Sequence, residues 1–136
     1  MSKSEFISLH PRAITGIQYF NQRKYFQAHE ELEVAWMAEK GQKRELYRGI
    51  LQIGVAYYHI QNQNFKGGKV MLERAKKWLA LFPDIILDID VKKIILDAEL
   101  VYQTLLRLGP EKIGEFNPSL FQPIKLITSE NKKRVT

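Results

Sequence analysis

A chain of 136 residues with 45% apolar composition is sized for one domain around one core and does not have the composition of a disordered segment. It contains no cysteine, which excludes a disulfide framework and any thiolate metal site and fits a reducing compartment. The net charge of +6 and the sequence pI near 9.5 favour an anionic partner, but Lys132, Lys133 and Arg134 at the C-terminus read as a solvated tail and leave only a modest excess.

The opening Met1-Ser2-Lys3-Ser4-Glu5-Phe6 lacks the long apolar run of a signal peptide. No apolar stretch approaches the roughly 20 residues that cross a bilayer. The sequence therefore reads as cytoplasmic, with no membrane partner. Helix one opens at Pro11, whose fixed φ and missing N–H suit a first helical position, with His10 as a helix-start residue. Ile14, Ile17 and Phe20 give it an apolar face. Residues 21–24 form a turn. Helix two runs over about 25–39, with Tyr25, His29, Leu32 and Trp36 on one stripe, and Gly41 stops it.

Helix three, about 43–61, is apolar nearly all round, the mark of a central helix. Gly49 and Gly54 let neighbours approach it closely. After the polar turn at 61–64, helix four spans about 65–82. Leu72, Ala75, Leu79 and Phe82 face inward and Pro83 ends it. Residues 84–90 fit either an extended connection or an early helical turn. Asp90 is placed to cap helix five, about 91–108, whose face is Ile94, Ala98, Val101, Leu105 and Leu108. Gly109-Pro110 stops it. Phe116, Leu120, Phe121, Ile124, Leu126 and Ile127 are expected to pack irregularly over the bundle.

The expected fold is thus a single all-α domain over residues 1–128, a bundle of four to five helices with helix three central, followed by a frayed basic tail at 129–136. A faint repeat of about 40 residues aligns Tyr25, Ala28, Leu32, Glu33 and Ala35 with Phe65, Gly68, Leu72, Glu73 and Ala75. It resembles the tetratricopeptide helix pair. Two copies are too few for a solenoid, so the repeat reads as a duplicated hairpin.

Polar residues interrupt the stripes that should be apolar. His29 and Glu33 share a face of helix two at i, i+4. Arg48, Gln52 and His59 follow one line down helix three. An antiparallel pairing of the two helices puts Trp36 near Arg48, Glu33 near Gln52, and His59 near Tyr25, Phe26 and His29. Ionisable groups on a core-facing stripe must be paired or functional. One expectation is a buried network in which Glu33 accepts from Arg48 and Gln52. A binding or scaffold module could instead use Glu30, Trp36, Arg48 and Gln52 to hold a small anionic ligand.

Two catalytic alternatives use the same residues. His29, Glu33 and His59, with Glu30, could ligate zinc, iron or manganese, although the spacing lacks the second His of the zinc-protease motif and the paired Glu-x-x-His of di-iron bundles. A metal-free acid–base hydrolase would use His29 or His59 for proton transfer, Glu33 to orient the imidazole and Arg48 to hold an anion. Trp36 and Trp78 fall on apolar stripes and are expected in the core. Lys66, Lys69, Arg74, Lys76 and Lys77 make helix four basic on a face expected to be solvated. Nucleic-acid binding through it is the weaker reading, with no interleaved aromatic platform to support it. A protein partner or a second copy of the chain also suits such a module.

Several stretches together resemble one family: His10-Pro11-Arg12-Ala13 before Gly16-Ile17, Phe20-Asn21, Tyr25-Phe26-Gln27-Ala28-His29-Glu30-Glu31-Leu32-Glu33 with Trp36, and Arg44-Glu45-Leu46-Tyr47-Arg48-Gly49 leading to Gln52 and Ala56-Tyr57-Tyr58-His59. Over about residues 10–82 the chain is similar to the prokaryotic and plastid family catalogued as domain of unknown function 309. The resemblance implies an all-α bundle and adds no reaction. Arg23 stands where that family often has glycine, which should alter the turn before Tyr25 and leave the polar set intact.

Overall fold

His10 and Pro11 start the first helix together. Pro11 needs no donor there, and His10 Nδ1 accepts the Arg12 N–H at 3.0 Å. The His10 N–H itself donates to Tyr47 Oη at 2.8 Å, which ties the helix start to the middle of the fold. The computed structural model describes residues 8–127. In chain order they form α1 (Pro11–Asn21), α2 (Tyr25–Ala38), α3 (Lys43–Gln61), α4 (Phe65–Leu79), a small hairpin of β1 (Ile85–Ile86) and β2 (Ile89–Asp90), α5 (Val91–Leu108), and two 3₁₀ turns (Ile113–Glu115 and Pro118–Leu120). All five expected helices form. The expected basic tail at 129–136 lies outside the described residues.

The 40-residue repeat is visible in the backbone. Arg23 at φ 63° and Gln63 at φ 58° occupy the same left-handed position in the α1–α2 and α3–α4 turns. Behind them, Lys24 N–H donates to Tyr19 O at 2.9 Å and Asn64 N–H to His59 O at 2.8 Å. Arg23 thus gives the first turn the same backbone course that Gln63 gives the second. It takes the conformation a glycine would favour, at a cost of about 1–2 kcal/mol for an L-residue.

Each helix packs on the next, α1 on α2, α2 on α3, α3 on α4 and α4 on α5, so α3 lies between α2 and α4. Small residues at the repeated positions, Ala28, Ala35, Gly68 and Ala75, are buried and let the helices close on one another around Leu32, Ile50, Ile53, Leu72 and Leu79. The tightest approach is at Gly49, where a Cβ would stand 2.6 Å from Leu79 Cδ2 and 3.4 Å from Trp78 Cβ. That contact fixes where α4 sets the Trp78 ring relative to α3.

The C-terminal segment closes one end of the bundle. Phe121 packs on Tyr57 with ring centroids 4.6 Å apart and on Phe116 at 5.1 Å. The Asn21 side chain holds the segment from both sides, donating to Ile124 O at 3.0 Å and accepting its N–H at 2.7 Å. Residues 84–90 resolve as the hairpin. Its central residues Leu87 and Asp88 both have positive φ, as a tight primed turn requires. Leu126 bridges Ile89 on the hairpin's edge, and Asp90 caps α5 by accepting the Lys93 N–H at 3.0 Å. Among the described residues, no helix is long and apolar enough to cross a membrane.

Candidate functional site

Antiparallel packing of α2 and α3 brings two side-chain stripes together along one open seam. The α2 stripe is Phe26, His29, Glu33 and Trp36. The α3 stripe is Arg48, Leu51, Gln52, Val55, Tyr58 and His59. The seam carries two cavities. The larger, about 660 Å³, is lined by Glu33, Trp36, Arg48, Leu51, Gln52, Arg74, Lys77, Trp78 and Leu81. The smaller, about 180 Å³, lies further along between Tyr25, Phe26, His29, Val55, Tyr58 and His59.

Arg48 organises the larger cavity. Its guanidinium lies 5.0 Å from the Trp36 ring centroid and 4.5 Å from that of Trp78, while Arg44 stands over Trp36 at 4.3 Å. Such contacts contribute roughly 0.5–1 kcal/mol each where solvent reaches them. Arg48 Nε faces Glu45 Oε2 at a loose 3.4 Å, one turn back on the same helix. Trp36 and Trp78 are therefore cavity walls bearing cations, where an ordinary core position was expected.

The buried network expected from the sequence is not made. Glu33 pairs with His29 at 3.1 Å and remains 45% exposed. Arg48 pairs with Glu45, which is nearer because it sits on the same helix, and the indoles take the faces of its guanidinium. Gln52 is left without its expected partner. Among the described residues, Gln52 Oε1 and Trp36 Nε1 are buried and make no hydrogen bond. Unmet buried polar atoms of this kind are uncommon in folded proteins.

The metal set also fails to assemble. His29 is turned to Glu33, and His59 Nδ1 lies 3.3 Å from Asn64 Nδ2 in the following turn. Glu30 is exposed on α2 and lines neither cavity. Among the described residues, no group of three or more His, Asp or Glu side chains could hold a metal ion. The parts of the acid–base alternative are split as well: the imidazoles line the smaller cavity and Arg48 the larger.

The basic side of α4 is solvated as expected at Lys66, Arg74 and Lys77, which are exposed, while Lys69 and Lys76 are half-buried and paired. Lys69 pairs with Glu73 at 2.8 Å, and Lys76 pairs with Glu99 of α5 at 2.7 Å while standing 4.0 Å over the Tyr102 ring. Lys69 and Tyr102 hold the Glu73 carboxyl below the usual carboxylate range, and Lys76 with Gln103 does the same for Glu99. Arg74 and Lys77, both exposed, contribute to the lining of the larger cavity. No described acidic side chain lies within ion-pair distance of either. Sequence reasoning missed these two as site residues. Their spacing from Trp78 and Leu81 on one helical face was the available signal. With Arg48 paired to Glu45 and Glu33 to His29, Arg74 and Lys77 are the lining cations left without a described acidic partner.

Residues 13–71 match the family described as "Domain of unknown function (DUF309)". The matched segment carries the whole α2–α3 seam but ends before Arg74, Lys77, Trp78 and Leu81, the α4 wall of the larger cavity. The chain is also 34% identical over 67 residues to "Uncharacterized protein YpuF" of Bacillus subtilis (strain 168), a match covering 47% of this chain and 38% of that protein. The chain thus spans about four-tenths of the length of this curated relative. Neither description assigns a reaction.

Proposed function

We propose that this is a binding module whose larger cavity takes a ligand combining a carboxylate with an apolar or aromatic body. The observation that carries this reading is Arg48. A guanidinium held against two indoles keeps its plane fixed, and its N–H edge suits bidentate contact with a carboxylate. The Trp36 and Gln52 side chains line the same cavity, and their Nε1 and Oε1 atoms lie just beneath its surface without a hydrogen-bond partner among the described residues. Arg74 and Lys77 add positive charge, while Leu51, Leu81 and the indole faces supply apolar contact. Few, convergent polar groups in a mostly apolar concavity are the usual make-up of a ligand site.

Both tryptophans of the chain line this cavity, so intrinsic fluorescence reports its occupancy. Naphthoate, an aromatic carboxylate, should quench it saturably, and the neutral naphthamide should bind much more weakly. Arg48→Met should abolish the difference while circular dichroism stays unchanged. Equal affinity for the two probes, or binding unaffected by Arg48→Met, would overturn the reading.

A further inference from the structure

The two cavities have no lining residue in common but lie one after the other along the same two helices, α2 and α3. Leu51 and Gln52 floor the larger cavity and Val55 the smaller, with Arg48 at one end of the α3 stripe and His59 at the other. From residue 48 to residue 59, α3 rises about 17 Å at about 1.5 Å per residue, or three helical turns. Phe26, His29, Glu33 and Trp36 form the α2 wall along the same length, and the His29–Glu33 pair at 3.1 Å bridges the two compartments. The trough is cationic where α4 adds Arg74 and Lys77. At the other end it is apolar, where Phe26 and Tyr58 are exposed with ring centroids 6.0 Å apart.

We infer that this trough receives an amphipathic helix of a protein partner, about three turns long, with carboxylates over Arg48, Arg74 and Lys77 and apolar anchors running on to Phe26 and Tyr58. The inference rests on the binding reading above and adds the partner's class. Charge complementarity selects an acidic partner: Arg74 and Lys77 line the cavity with no described acidic side chain within ion-pair distance, and the lining carboxylate, Glu33, is already paired with His29. Length selects a helix, because an amphipathic helix presents apolar anchors at i, i+3 or i+4 and i+7 along one stripe, which matches a floor whose own side chains repeat at that spacing. A single small carboxylate would occupy the Arg48 end and leave Val55, Phe26 and Tyr58 uncovered.

The test uses the full chain as target for a displayed library of random peptides about fifteen residues long, followed by fluorescence anisotropy on the enriched sequences. The expected outcome is enrichment of acidic amphipathic helices. Their binding should weaken about tenfold on Phe26→Ala or Tyr58→Ala as well as on Arg48→Met, as loss of an anchor does. Phe26→Ala and Tyr58→Ala change exposed positions, so the fold should persist, and naphthoate binding should be unchanged in both. Inserting proline in mid-peptide should abolish binding.

Enrichment of basic or proline-rich sequences, or indifference to Phe26→Ala and Tyr58→Ala, would overturn the inference. So would failure to enrich any peptide. If naphthoate still binds in those cases, the helix partner falls and the carboxylate site stands. If naphthoate also fails, both fall.

Discussion

The Arg48 guanidinium lies 4.5 Å from the ring centroid of Trp78, a residue on the neighbouring helix and 30 positions along the chain. A planar cation on an indole face keeps its charge in place while its edge stays available. Lysine carries the same charge without the plane. Arg48→Lys should therefore weaken naphthoate binding about tenfold while changing stability by less than about 1 kcal/mol. Fluorescence titration and urea unfolding of the same variant check both halves.

Gly49 controls the other side of that arrangement. Its absent side chain admits Leu79, which is fully buried, and brings Trp78 Cβ within reach. Gly49→Ala would force α4 outward, and overpacking of this kind costs about 1–3 kcal/mol. The urea midpoint should fall accordingly, and naphthoate affinity should fall with it as Trp78 moves from Arg48.

The repeated turns allow a paired test. Arg23 and Gln63 both sit at positive φ, with the same hydrogen bond closing the hairpin behind them. Glycine removes the strain but loses more chain entropy on folding, so Arg23→Gly and Gln63→Gly should each stabilise by about 0.5–1 kcal/mol. Equivalent geometry predicts similar gains. A large gain at one turn and a loss at the other, measured by thermal unfolding, would show that the two hairpins are not equivalent.

The helices were legible because their signals are local. Pro11, Asp90 and Gly109 sit at helix ends, and the apolar stripes fix which faces close, whereas α4 stops at Leu79, short of the expected end at Pro83. The hairpin at 85–90 was not, because neither Leu87 nor Asp88 is a residue that advertises positive φ as glycine does. The seam itself could be read from Trp36, Arg48, Gln52 and His59 on facing stripes. Its bonding could not. Whether Arg48 turns to Glu33 across the seam or to Glu45 along its own helix depends on rotamers and on two indoles, one of them brought in by α4. Arg74 and Lys77 were hidden for a related reason: a basic helix face looks alike in sequence whether it meets solvent, acids on α5 or a cavity.

Buried tyrosines set an alkaline limit on the fold. Burial raises the phenols of Tyr57, Tyr25 and Tyr47 above the usual tyrosine range. In the unfolded chain they release their protons near pH 10. Above about pH 10 the unfolded state therefore holds fewer protons than the folded state, and stability falls as pH rises. Below that pH their contribution is complete. The urea midpoint should drop between about pH 10 and 11, and Tyr57→Phe should flatten the drop by removing one of the groups responsible.

The most direct measurement follows the indole N–H resonances of Trp36 and Trp78 by ¹H–¹⁵N NMR while naphthoate is added to the full chain. The Trp36 indole walls the cavity 5.0 Å from the Arg48 guanidinium, so a carboxylate arriving beside Arg48 should shift its resonance, saturably, at the same midpoint as the fluorescence change. Both indole resonances staying fixed while signals elsewhere on the chain shift would contradict a binding site at Arg48.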